Sequence, residues 1–256
     1  MNLIDTHCHL ADKRLARNIE QVISDAVSAG VRQMISAAAN LPDARIAAKL
    51  AETHPEVFCT AGVHPHHAAE QTETYLAEIE QLASCPRNVA IGEIGLDYHY
   101  DYSPRPRQQE SFAEQLALAD RLGKVIVIHT REAFDDTMSI IRNSGVDGSK
   151  FVFHSFTGGI EQVRELLDIG AMVSYSGIAT FKTADDIRQG VAIVPDDRIF
   201  VETDSPYLSP VPVRNVRTNQ PAYVAHVARC LAEVRGVSAD LFADQTTANA
   251  KRFFGF

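Results

Sequence analysis

The segment MNLIDTHCHL at the start of the chain carries an acid and two imidazoles at alternate positions, Asp5, His7 and His9. In an extended strand successive side chains point to opposite faces, so these three share one side while Ile4, Thr6 and Cys8 share the other. Such groups are costly on the face of a buried strand unless they bind something. Residues two apart in a strand lie about 6.5–7 Å apart at Cα, which lets two imidazoles converge on one ion at about 2.0–2.1 Å. Groups of the same chemistry recur at long intervals: Glu93 in IGEIGLDYHY, His129 in VIVIHTREA, His154 in FHSFTGG and Asp204 in ETDSPYLSP. A single histidine at a strand end is ordinarily a hydrogen-bonded core residue. Imidazoles and carboxylates recurring together are the donors of a divalent-metal site, suited to Zn²⁺ or Mn²⁺ and compatible with Mg²⁺.

These residues need a scaffold that brings distant segments together. Apolar runs of strand length occur at Leu3 to His9, Val31 to Ala38, Val57 to Val63, Val89 to Leu96, Val125 to His129, Phe151 to Phe156, Ala171 to Ser176 and Ile199 to Thr203. Amphipathic stretches separate most of them: Asn18 to Ala29, stopped by Gly30, then Pro42 to Glu52, Glu73 to Ala83, Arg107 to Leu122, Ala133 to Asn143, Ile160 to Ile169 and Ala184 to Ala192. Three more helical segments follow, near Pro221 to Val234, Ser238 to Asp244 and Thr246 to Phe253.

Eight strands alternating with helices predict an α/β fold, a (β/α)₈ TIM-like barrel with extra C-terminal helices; a doubly wound open sheet is the structural alternative. No Pro/Ser-rich linker or short-period repeat interrupts residues 1–256, which reads as one domain. In this fold chemistry sits where strands end and the following loops begin. His7 and His9 end the first predicted strand, Glu93 belongs to the fourth, His129 ends the fifth, His154 lies on the sixth and Asp204 follows the eighth. Closure would set Asp204 beside His7 and His9, with Glu93, His129 and His154 on consecutive strands and Glu93 able to bridge two ions, the arrangement of a two-metal site.

Composition narrows the function. The chain is 45% hydrophobic and 22% charged, which suits a sizeable globular core. A net charge of -9 argues against a protein that coats nucleic acid through a basic surface, although bound cations and local arginines can reverse the field at one site. The polar residues in the first ten positions break any signal-peptide core, and no apolar run is long enough to span a bilayer, so a cytoplasmic location away from membranes is expected. Cys8, Cys59, Cys85 and Cys230 form no C-x-x-C pair and read as reduced structural thiols. No obligate protein partner is evident.

The ordered segments DTHCHL, AGVHPH, IGEIGLDYHY, VIVIHTREA, FHSFTGG, YSGIATFK and ETDSPYLSP resemble the signatures of the TatD family of metal-dependent deoxyribonucleases, within the amidohydrolase superfamily. The resemblance runs from residue 5 to residue 210. It implies a TIM-like barrel and divalent-metal-dependent hydrolysis of DNA phosphodiester bonds, as an exo- or endonuclease. It also implies the ligand set already singled out: His7, His9, Glu93, His129, His154 and Asp204. Two departures are visible. His154-Ser155-Phe156 stands where the family often has His-Cys-Phe, and Arg217 precedes Asn219-Gln220-Pro221 where a Gly-Lys pair is usual.

The expected chemistry is attack by a metal-activated water, with two divalent ions (Mg²⁺, Mn²⁺ or Zn²⁺) per chain. His7, His9 and Asp204 would hold one ion, His129 and His154 the other, and Glu93 would bridge them, with Asp204 doubling as general base. Asp5 and Glu202 lie two residues before a ligand; each could orient imidazoles or could be a buried acid satisfied by backbone. His64, Arg131 and Arg217 are the expected substrate contacts, whereas His66 and His67 read as surface residues. Lys13, Arg14, Arg17, Arg105, Arg107 and Arg214 fall in predicted loops and could track a nucleic-acid backbone or belong to a mixed solvated surface. Tyr98, Tyr100 and Tyr102 could stack on bases or pack against a neighbouring loop. Hydrolysis of a small phosphoester or amide on the same scaffold is the competing activity, and a metal-stabilised binding scaffold the non-catalytic one.

Overall fold

The computed structural model describes Met1–Phe256. Its first half contains β1 (Leu3–Cys8), α1 (Lys13–Ala16), α2 (Ile19–Ser28), β2 (Val31–Ser36), α3 (Leu41–Thr53), β3 (Val57–Ala61), α4 (Tyr75–Ala83), β4 (Asn88–Asp97), α5 (Arg105–Arg121) and β5 (Val125–Arg131). There follow α6 (Phe134–Ser144), β6 (Phe151–Phe153), α7 (Ile160–Asp168), β7 (Met172–Tyr175), α8 (Asp185–Ile193), β8 (Ile199–Val201), α9 (Val224–Arg235) and α10 (Ala239–Phe254). The strands are ordered β1 to β8 in one eight-stranded sheet, and β1–β2, β3–β4, β4–β5, β5–β6 and β7–β8 pair in parallel. Parallel neighbours require crossovers, which the helices between them supply. This is the (β/α)₈ fold class that the alternation predicts, with α9 and α10 as the added C-terminal helices.

The chain forms two compact units. The first comprises Met1–Ser36 with His154–Phe256. Within it the last strand returns to the first: Cys8 forms a parallel bridge with Ser205, Asp204 N–H donates to His7 O at 2.9 Å, and His9 N–H donates to Ser205 O at 2.7 Å. Leu3, Phe200, Val201, Val227, Leu231 and Phe242 are fully buried around this junction. Each such apolar side chain contributes about 1.5–3 kcal/mol on burial.

The second unit is Ala37–Phe153, cored by Ala90, Ile91, Ile94 and Leu96 of β4 with Leu116 of α5 and Phe151 and Phe153 of β6, all without solvent exposure. The β4–β5 register shifts between Ile91 and Ile94, so Glu93 sits in an irregularity of the kind that re-aims a side chain out of the regular alternation. Nearby, Gly95 has φ +140°, and a Cβ there would stand 1.9 Å from His129 O. Only glycine admits both that backbone and that approach.

Several expected boundaries change. β2, β3 and β8 stop at Ser36, Ala61 and Val201, two residues short of the predicted ends, β5 runs on to Arg131, and β6 stops at Phe153, where the chain turns through positive φ at Ser155 (43°). The two helical segments expected at Ser238 to Asp244 and Thr246 to Phe253 are one helix, α10. Its polar middle is used rather than broken: Thr246 Oγ1 donates to Phe242 O at 3.0 Å, Thr247 Oγ1 to Asn2 O at 2.8 Å, and Asn249 Nδ2 to Ile199 O at 3.0 Å. No helix is long and apolar enough to cross a membrane, and all four cysteines are free thiols.

Candidate metal centre

In the first unit, three donors converge where β1 meets the loop after β8. His7 Nε2 lies 3.3 Å from His9 Nε2 and 4.0 Å from Asp204 Oδ1, while His9 Nε2 lies 3.3 Å from Asp204 Oδ1. Donors arranged tetrahedrally at about 2.1 Å from a zinc-sized ion are roughly 3.4 Å apart. The triangle therefore matches one face of such a shell, and its chemistry, two imidazoles and a carboxylate, fits a divalent cation.

The loop bearing Asp204 is anchored from both sides. Asp5, fully buried, accepts Thr203 N–H at 2.9 Å and the Thr203 hydroxyl at 2.6 Å across 198 positions of sequence. Asn219 Nδ2 donates to Thr203 O at 2.9 Å and to Tyr207 O. Of the two roles open to Asp5, backbone satisfaction is the observed one. Burial pushes its carboxyl up to about 8, with Glu202 adding to the shift and the Thr203 bonds opposing it. Burial also raises Asp204, but the His9 hydrogen bond and the charges of His154, His9 and His7 outweigh it and hold that carboxyl below its ordinary range.

Glu202 takes the other role. Its Oε1 lies 3.2 Å from His154 Nδ1 and accepts Ser155 N–H at 2.7 Å, and its Oε2 accepts from the Ser174 hydroxyl. An imidazole that gives its Nδ1 proton to a carboxylate keeps the Nε2 lone pair for a metal. The His154 ring stacks on His7 with centroids 3.9 Å apart and planes 13° from parallel.

In the second unit, donor atoms of His64, Glu93 and His129 lie within 4.8 Å of one another. His129 is held between two acids, Nδ1 at 2.9 Å from Glu93 Oε1 and Nε2 at 3.1 Å from Asp97 Oδ2. Asp97 also takes His66 Nε2 at 2.9 Å. Burial pushes Asp97 up, yet the bonds from His129, His66 and Tyr100 N–H prevail and hold it far below the usual carboxylate range. With a proton on Nε2 facing Asp97, His129 offers its Nδ1 lone pair on the Glu93 side.

His64 differs. His66 N–H donates to its Nδ1 at 3.1 Å, which places the ring's own proton on Nε2, 3.3 Å from Glu93 Oε1. Burial, opposed by Glu93 and reinforced by His129, drives its pKa down to about 3, so the ring is neutral. It is a hydrogen-bond donor, as a substrate contact requires, rather than a lone pair.

Arg131, at the end of β5, and Arg217, in the loop after β8, are both exposed. Arg14, Arg105 and Arg107, expected in loops, lie instead on α1 and α5 and are engaged: Arg14 with Asp12 at 2.8 Å, Arg105 with Asp101 at 2.9 Å and Arg107 with Glu110 at 2.7 Å. Tyr98 is engaged within the fold, its hydroxyl donating to Asp136 of α6 at 2.7 Å, a helix rather than the neighbouring loop. Three contributors escaped the sequence reading. His66 repeats after His64 the H-x-H spacing of His7 and His9, Asp97 lies four residues past Glu93 with the same strand parity, and Asn219 stands in the Asn-x-Pro segment.

Comparison with known proteins extends these observations. The family described as TatD related DNase matches residues 4–255. An uncharacterized metal-dependent hydrolase of Bacillus subtilis, YabD, is 37% identical over 252 residues, covering 98% of both chains. A Klebsiella pneumoniae protein named 3'-5' ssDNA/RNA exonuclease TatD is 32% identical, covering 99% of this chain and 98% of its own. Among solved structures, the TatD homologue YJJV of Escherichia coli superposes with a TM-score of 0.93 at 27% identity, over 99% of this chain and 98% of its own.

Proposed function

The chain belongs to the TatD related DNase family and is a metal-dependent hydrolase acting on ester bonds, and we propose that its substrate is DNA, cut at phosphodiester bonds by two divalent ions per chain. The observation that carries this reading is the His7–His9–Asp204 triangle, whose spacings of 3.3, 3.3 and 4.0 Å suit a bound cation. The name of the Klebsiella relative supports a nucleic-acid substrate, with single strands and exonucleolytic action as the finer proposal. The match over residues 4–255 supports a single catalytic domain.

In this reading His7, His9, Asp204, Glu93, His129 and His154 are the ligands, and Mg²⁺, Mn²⁺ or Zn²⁺ the ions. Bound ions of this kind supply a water acidified towards neutrality and offset charge on the phosphoryl oxygens. Asp204, a carboxylate with a second oxygen beyond the one an ion would take, would accept the proton of the attacking water. Asp97 orients His129 through the 3.1 Å contact to Nε2, which leaves Nδ1 beside Glu93 for an ion. His64, whose Nε2 proton faces Glu93 at 3.3 Å, would turn that donor to a phosphate or leaving oxygen when substrate is bound. Arg131 and Arg217 meet the phosphate backbone as charge-assisted donors.

The test is cleavage of labelled single- and double-stranded DNA by chelator-stripped protein after Mg²⁺, Mn²⁺ or Zn²⁺ is restored. Cleavage that needs the metal and disappears in His129→Ala is expected. Hydrolysis of a small chromogenic phosphoester or amide without cleavage of either DNA would overturn the choice of substrate.

A further inference from the structure

Close to the second donor group, two tyrosines stay exposed, Tyr100 at 46% and Tyr102 at 67%. Their rings nevertheless stack on each other, with centroids 5.2 Å apart and planes 15° from parallel. His66 meets both edge-on, at 5.5 Å from Tyr100 and 4.8 Å from Tyr102. The Asp97 carboxylate that fixes His66 and His129 also accepts Tyr100 N–H at 3.0 Å. One buried acid thus sets the tyrosine pair in register with a proposed metal ligand.

Arg131 completes the arrangement. It lies two residues past His129, and its guanidinium sits 4.8 Å from the Tyr100 centroid. Unlike Arg105 and Arg107, which are tied to acids, it has no acidic partner. Stacking uses the flat face of a guanidinium and leaves its N–H edge available for a phosphate. Tyr102, stacked on Tyr100 and in T-shaped contact with His66, keeps two thirds of its surface exposed to solvent, at 67%.

We infer that Tyr100 and Tyr102 form a base-stacking subsite, which takes one unpaired nucleobase of the substrate on the open face of Tyr102 while Arg131 holds a neighbouring phosphate. The inference rests on the nucleic-acid reading above and adds what that reading lacks, a reason for preferring unpaired strands. A base inside a duplex is stacked on both faces and offers none to a tyrosine. Every base has a π-face, so the subsite discriminates little by sequence.

Binding is tested in chelator, where no turnover occurs, with single-stranded oligonucleotides carrying 2-aminopurine at successive positions. The wild-type protein quenches the probe at one position; Tyr102→Ala abolishes the quenching and weakens binding roughly tenfold, and Tyr102→Trp restores both. An abasic site at that position weakens wild-type binding by a similar factor, and this gap between base-bearing and abasic strands closes in Tyr102→Ala. Metal-dependent cleavage by a wild-type protein that shows neither quenching nor gap, or a gap that survives in Tyr102→Ala, overturns the subsite alone. Failure of the wild-type protein both to bind and to cleave any strand removes the nucleic-acid reading and the subsite with it.

Discussion

Glu202 Oε1 stands 3.2 Å from His154 Nδ1, and the carboxylate is wholly shielded from solvent. Both its oxygens are already engaged, by Ser155 N–H and the Ser174 hydroxyl, and in the proposed centre its part is to orient the imidazole. Glu202→Gln keeps the shape but sets an amide N–H₂ against groups that donate. Loss of a partner of this kind typically lowers metal affinity about 10–100-fold, and competition with a chromogenic chelator should show a fall of that size. Unchanged affinity would mean that His154 needs no orienting group.

Asp204 carries two roles that one substitution separates. Asp204→Asn keeps an oxygen for a metal but cannot accept a proton from water. At saturating metal, turnover should fall by about 10²–10⁴-fold while metal content, measured by elemental analysis, stays within about twofold of the wild type. Turnover near the wild-type rate would remove the general base.

Gly95 tests whether the backbone of β4 is as closely fitted as it looks. In Gly95→Ala the new methyl would meet His129 O at 1.9 Å on a backbone of φ +140°. Strain and overpacking cost about 1–3 kcal/mol each. Denaturant unfolding should therefore show a loss of roughly 3 kcal/mol or more, with weaker metal binding at His129. A variant of wild-type stability would show that the strands separate there at little cost.

Arg131, the last residue of β5, and Arg105, the first of α5, have different occupations. Arg105 is spent on Asp101 at 2.9 Å, while Arg131 has no acid. Arg131→Lys should raise KM for DNA several-fold, because lysine keeps the charge but neither the fork nor the stacking face. Arg105→Ala should change KM by less than about twofold, as an exposed ion pair contributes little. Steady-state kinetics at fixed ionic strength distinguishes them, and equal effects would contradict the assignment.

Much of the site could be read from residue parity. Alternation in β1 puts Asp5, His7 and His9 on one face, and the fold class follows from eight apolar runs separated by helical patterns. Parity also held the signal for Asp97, two and four residues beyond Gly95 and Glu93, but an acid at a strand end carries no mark of which imidazole it will grip. His66 reads from sequence as a surface residue like His67, yet its Nε2 meets buried Asp97 at 2.9 Å, whereas His67 Nδ1 pairs with exposed Glu70 at 2.9 Å. The choice between the two roles of Asp5 and Glu202 was beyond local pattern because their partners, Thr203 and His154, lie far away in sequence. The run Asp244 to Thr247 misled for a similar reason. Its hydroxyls bond to Phe242 and Asn2, so residues that suggest a break lie inside α10.

The number of ions per chain tests the central claim most directly. Protein stripped with chelator, reconstituted with Mn²⁺ or Zn²⁺ and freed of excess is analysed for metal alongside His9→Ala and His129→Ala. The account predicts about two ions in the wild type and about one in each variant. A wild-type chain that retains none, or variants that retain as much as the wild type, would contradict it.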